Sequence, residues 1–163
     1  MDGRIRRNAT TSTCENGKEF PSVFGDVIRH FETIGPFCNR GPEDICAQVS
    51  WDFGTCILNG DVQVHPTAYT SFDPENQALG YLGDSGPSST ADFSFILPGN
   101  TNFFMIFQQV FPGSDGIGCA FGFRVDFGFC GLPADTDPPE FDPIGEESNI
   151  AYGDNTDRFL HEF

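Results

Sequence analysis

Residues 119–130 read CAFGFRVDFGFC. Cys119, Phe121, Phe123, Val125, Phe127 and Phe129 fall on one side of that stretch, and Ala120, Gly122, Arg124, Asp126 and Gly128 on the other. Successive side chains of a β-strand point to opposite faces, so strict alternation predicts a strand with one face in a core and one in water. ICAQVSWDF (45–53) behaves alike, with Ile45, Ala47, Val49, Trp51 and Phe53 inward, and ADFSFILP (91–98) groups Phe93, Phe95 and Leu97 before Pro98 stops it. NFFMIFQQVF (102–111) is apolar on both faces through Phe107, as a central strand covered twice would be. GRIRR (3–7), DVIRHFETI (26–34) and DVQVH (61–65) predict weaker strands.

Composition points the same way. The 163 residues include 19 Phe, 19 Gly and 12 Pro, which suits short strands joined by tight turns. No window keeps helical apolar spacing, and no apolar run approaches the length that crosses a membrane. The expected fold is all-β: a two-layer antiparallel sandwich of about seven or eight strands with jelly-roll-like wiring, a closed barrel being the alternative. The candidate strands fall into 1–65 and 91–130. Residues 66–90 between them read as loop-rich, and so long a connection is expected to be packed or functional.

The sandwich domain is read as 1–132 and an extended acidic tail or linker as 133–163, because alternation stops and prolines and acids take over. Net charge is -16 and unevenly spread: residues 1–40 are nearly neutral, while the tail carries nine acids against Arg158 alone. Such a surface repels phosphate backbones, so nucleic acid and anionic membranes are poor partners, and no membrane insertion is expected. The tail also spaces Phe141, Ile144, Ile150, Tyr152, Phe159, Leu160 and Phe163 along its length. Those anchors predict docking in extended form on another copy of the chain or on a neighbouring surface protein, strand addition to a sheet edge being the favoured mode. Arg4, Arg6 and Arg7 are candidate charge partners for such a tail; the other reading is an edge strand protected by charge.

Six cysteines, Cys14, Cys38, Cys46, Cys56, Cys119 and Cys130, include no CxxC pair, which favours disulfides over zinc and places the chain in an oxidising, extracellular or cell-surface setting. MDGRIRR has no apolar signal segment behind it, so the sequence reads as the mature part of an exported precursor.

GDSGP (83–87) raises a serine-protease reading for Ser85. A nucleophilic serine needs a histidine base and an orienting carboxylate. His30 and His65 precede Ser85, but neither sits in the Ala-Ala-His-Cys context of chymotrypsin-like proteases, whose two barrels also need a longer chain. No base is expected beside Ser85, and the string reads as a turn in which Asp84 and Ser85 bond their own backbone.

Taken together, DGRIRRNATTSTC (2–14), ICAQVSWDFGTC (45–56), AYTSFDPENQALGYLGDSG (68–86), FSFILPGNTNFFMIFQQV (93–110) and GCAFGFRVDF (118–127) resemble bacterial secreted and cell-surface repeat modules. These are related in pattern to pre-peptidase C-terminal domains and other CUB-like jelly rolls. Gln77-Ala78-Leu79 and KEFPSV (18–23) stand where that pattern has cysteines, while Cys38 and Cys130 look like additions. The resemblance implies a Cys46–Cys56 disulfide and a binding or structural module without catalytic activity. The other four cysteines then pair among themselves, Cys38–Cys119 with Cys14–Cys130 being preferred.

Asp73, Glu75, Asn76 and Asp84 offer hard oxygen ligands, so calcium is the one candidate cofactor; the competing reading, which the sequence favours, is that Asp73 and Asp84 brace turns. Tyr69 and Tyr81 could stack on sugars, whereas Trp51 falls on a buried face. The expected role is a structural or adhesive module within an extracellular assembly, such as a filament or surface layer, or within a surface protein. The alternative is a ligand-binding accessory domain of an exported enzyme, for carbohydrate or protein.

Overall fold

The structure is a computed structural model that describes residues 1–112 and 119–126, together with the backbone of 157–162. Its strands are β1 (Asp2–Ile5), β2 (Val23–Ile28), β3 (Phe31–Asn39), β4 (Ile45–Asp52), β5 (Ile57–Leu58), β6 (Asp61–Val62), β7 (Val64–Tyr69), β8 (Tyr81–Asp84), β9 (Asp92–Leu97), β10 (Thr101–Gln109), β11 (Ala120–Val125) and β12 (Asp157–Glu162). No helix occurs among the described residues. Two four-stranded antiparallel sheets, ordered β3-β10-β7-β8 and β12-β11-β4-β9, form the layers of the sandwich. The chain changes layer from β3 to β4, β8 to β9, β9 to β10 and β10 to β11, which is jelly-roll-like wiring. A two-stranded antiparallel pair, β1-β2, and a small hairpin, β5-β6, complete it.

The core is made of the alternating faces read from the sequence. Ala47, Val49 and Trp51 of β4, Phe93, Phe95 and Leu97 of β9, and Phe121, Phe123 and Val125 of β11 are all buried. Rings interlock across the layers: Phe107 lies 4.2 Å from Phe121 and 5.0 Å from Phe123, and Phe95 lies 5.2 Å from Phe103, all between centroids. Such aromatic pairs add about 0.5–1.5 kcal/mol each beyond the area they bury. β10 is covered twice, as its composition requires. Phe103, Met105 and Phe107 enter the core, and Ile106 and Gln108 are buried outside it. There the Ile5 amide of β1 donates to Gln108 Oε1 at 2.8 Å.

Three sequence expectations change. Residues 26–34 do not form one strand, because the chain turns at Arg29-His30 between β2 and β3. The stretch 66–90, read as loop, holds most of β7 and all of β8, whose Tyr81–Asp84 segment is too short to show a period. Of the segment read as a tail, β12 is an edge strand of the second sheet, with Phe159 and Leu160 in register with Phe123 and Gly122 of β11. Phe141, Ile144, Ile150, Tyr152 and Phe163 lie outside the described residues.

The disulfide expectations are also corrected. Cys14 bonds Cys46, and Cys56 bonds Cys119, so neither Cys46–Cys56 nor Cys38–Cys119 with Cys14–Cys130 exists. Cys46 sits on the outward face at the start of β4, whereas Cys56 lies past the strand's other end and is buried, which keeps them apart. Cys46 pairs in register with Ile96 of β9, whereas Cys56 is fully buried in the core. Cys38 is disulfide-bonded as well, and Cys130 lies outside the described residues. Among the described residues every cysteine is bonded, which fits a protein folded in an oxidising compartment, as extracellular proteins are. No helix among the described residues is long and apolar enough to cross a membrane.

Candidate functional site

Asp84 ends β8 and is wholly buried. A buried carboxylate needs partners for its oxygens, and this one has several. Lys18 Nζ donates to Oδ1 at 2.6 Å, the Gly86 amide donates to the same oxygen at 2.5 Å, and Tyr81 Oη donates to Oδ2 at 2.5 Å. Gly86 makes that turn at φ +74°, where an added Cβ would strike the Thr10 carbonyl at 2.6 Å. The main chain of Asp84 is clamped too: the Ser12 amide donates to its carbonyl, and its own amide donates to Ser12 Oγ. Burial works against the charge, but contacts with His65, Lys18 and Tyr81 outweigh it and hold the carboxyl at about 2. Burial likewise raises the Tyr81 hydroxyl, with Asp84 adding to the shift, and lowers Lys18, which Asp84 opposes.

His65 of β7 stands behind this hub, fully buried. Its Nδ1 is 3.1 Å from Ser88 Oγ and 3.5 Å from Ser85 Oγ, and its Nε2 is 3.5 Å from Asp84 Oδ1. The expectation that no base stands near Ser85 is therefore wrong: the fold gathers serine, histidine and aspartate. The β7–β8 pairing does this by setting Thr67 opposite Asp84, a neighbourhood that sequence order does not display. The geometry is that of a brace. Nε2 makes no hydrogen bond, both oxygens of Asp84 are taken by other donors, and Ser85, Ser88, His65 and Asp84 are all buried. Burial pushes the imidazole below its ordinary value despite Asp84, so it is neutral at physiological pH.

Two residues of the calcium set, Asp73 and Asp84, have their carboxylates engaged within the chain. Asp73 Oδ1 accepts the Glu75 amide at 2.9 Å and its carbonyl accepts the Asn76 amide, which makes it a turn brace. Asp84 is the buried last residue of β8, with its oxygens occupied. Among the described residues no three His, Cys, Asp or Glu group to hold a metal. The sugar-stacking pair is not presented either: Tyr69 is fully buried against Phe72 and Tyr81, and Tyr81 is committed to Asp84.

Ser88 links the hub to an open groove of about 630 Å³ whose walls include Arg4, Arg6, Arg7, Phe24, Asp61 and Ser88. Arg7 Nη1 donates to Ser88 Oγ at 3.3 Å. The Arg4 guanidinium lies 4.7 Å from the Phe24 ring centroid and that of Arg6 lies 5.9 Å from it. Arg4 is not the exposed edge charge expected from the sequence. It is 6 % exposed, with Nη1 donating to the Ile5 carbonyl and Nε to that of Val110. Arg29, missed in the sequence because it stands 25 residues from Arg4 with no motif around it, also donates to the Val110 carbonyl.

These features define a disulfide-linked, all-β sandwich with a buried acid hub and one basic groove. The chain matches no protein-family model, no curated protein and no solved structure.

Proposed function

We propose that this protein is a secreted, non-catalytic structural module of an extracellular assembly, in which the C-terminal strand of one copy completes the sheet of the next. One observation carries the reading: β12 lies beside β11 as an antiparallel neighbour, yet the chain takes from Asp126 to Thr156 to connect them. Antiparallel neighbours need as few as two linking residues, and a connection of about 30 is long enough to be functional. Extended, it reaches on the order of 100 Å, several times what its own sheet demands. In the isolated chain the strand pairs with its own β11; in the assembly the same register is filled from a neighbour. β2 adds support. It pairs with β1 alone among the described residues and exposes Val23, Phe24, Val27 and Ile28, the kind of apolar edge that other chains cover.

Deleting 133–163 tests this. The shortened chain should keep its near-ultraviolet circular dichroism but sediment as a monomer, while the full chain sediments as a larger species that a peptide of residues 157–163 competes down. A truncated protein that assembles as well as the full chain would overturn the reading. A role as the ligand-binding domain of an exported enzyme is the second reading, favoured by the basic groove.

A further inference from the structure

Half of the chain's eight Lys and Arg side chains gather at one place. Arg4, Arg6 and Arg7 line the groove, and Arg29 lies close enough to repel both Arg4 and Arg7. With 24 acids in the sequence, pairing of these arginines would be the easy outcome. Among the described residues, however, the ion pairs are Lys18–Asp84 and Arg124–Asp126, and none of the four arginines takes part. Asp61, on the groove wall, is the single carboxylate that acts on Arg7.

Guanidinium groups do not shed their protons in proteins. Arg4 is held near 10 by burial and by its two arginine neighbours, and is still charged at neutral pH. Arg4 and Arg29 are 6 % and 5 % exposed, and Arg29 Nε is buried with no partner. Charges drawn out of water without a counterion are costly. The guanidinium of Arg6 donates no hydrogen bond among the described residues, so all five of its N–H groups remain to be used, and Ser88 and Ser89 add hydroxyls to the same wall.

We infer that the groove is a binding site for a compact oxyanion, the phosphate, sulfate or carboxylate group of a small polar ligand, clamped by Arg4, Arg6 and Arg7. Its volume of about 630 Å³ is that of a small-molecule site. Forked guanidinium donors match the geometry of these groups, and two of them share the Phe24 ring, at 4.7 Å for Arg4 and 5.9 Å for Arg6. The ligand is compact because charge selects it. A small anion in the groove meets the arginines at contact distance, whereas a long polyanion also meets the acidic remainder of a chain of net charge -16.

Calorimetry of the full chain at low ionic strength tests this with three probes: inorganic phosphate, inorganic sulfate and glucuronate. At least one should bind saturably, and the preferred probe separates a phosphoryl or sulfuryl group from a sugar acid. Arg6→Gln, which removes no hydrogen bond of the fold, should weaken that binding about tenfold. Asp61→Asn should tighten it severalfold. Absence of binding by all three up to ~10 mM, or equal affinity in Arg6→Gln, overturns the inference. So does binding of a peptide of residues 133–156 in place of the probes, since the occupant is then the protein's own acidic segment. None of these outcomes depends on assembly.

Discussion

Asp84 keeps its charge although burial works against it, because three donors converge on its two oxygens. Its carboxyl titrates near 3.8 when unfolded and at about 2 when folded, so the shift stabilises the fold above pH 4 and that contribution is lost as pH falls from 4 toward 2. His65 acts earlier. The unfolded imidazole binds a proton below about 6.5 while the buried one, lowered by desolvation, resists it, so stability starts to fall as pH drops through 6.5. Urea unfolding at a series of pH values should show both phases, with His65→Gln flattening the first. Asp84→Asn should cost about 3 kcal/mol at pH 7, since it strands the Lys18 ammonium that it now pairs. Equal stability of Asp84→Asn and the native protein would refute the hub. A fluorophosphonate probe should label neither Ser85 nor Ser88, because both are buried and their histidine is a brace; labelling of either would make the cluster catalytic. The turn at Asp84 was legible from Gly-Asp-Ser-Gly, since a short acid bonding its own backbone two residues on is a local event. Its charge network was not, because Lys18 stands 66 residues away and His65 enters through strand pairing.

At the scale of elements, strands that bury one face announced themselves. β4, β9 and β11 each alternate over at least six residues, and each buries most of the predicted side chains, Ile45 and Phe53 being half-buried and Phe127 and Phe129 lying outside the described residues. β8 and β12 gave no such signal: the first is four residues long, and the second lies in a stretch dominated by acids. Cysteine pairing was hidden for a different reason. The family resemblance implied Cys46 with Cys56, but the partners are chosen by which segments the sandwich stacks. The Cys14 amide donates to Ser94 Oγ on β9, next to the strand that carries Cys46. Cys56–Cys119 likewise fastens the end of β4 to the start of β11, where the Thr55 amide donates to the Ala120 carbonyl. Non-reducing peptide mapping should recover Cys14–Cys46 and Cys56–Cys119, and a Cys46–Cys56 peptide would contradict the fold. Replacing Cys14 and Cys46 together by serine should cost about 2–4 kcal/mol in chemical unfolding, with the same native signal at low denaturant.

At the scale of the whole molecule, the outermost strand of one sheet follows a connection of about 30 residues, which is the slack that the proposed exchange between copies requires. The central claim is that β12 pairs with β11 of a neighbour in the assembled protein. It is tested most directly by a photo-crosslinking residue in place of Leu160, whose register partner is Gly122 on β11. Nitrogen-14 and nitrogen-15 copies are mixed before assembly, and mass spectrometry reads the isotope labels of each crosslinked pair of β11 and β12 peptides. Exchange between copies predicts that mixed-isotope pairs form in abundance in the assembled fraction. Pairs of a single isotope only, or a full chain that stays monomeric at every concentration, would contradict the claim.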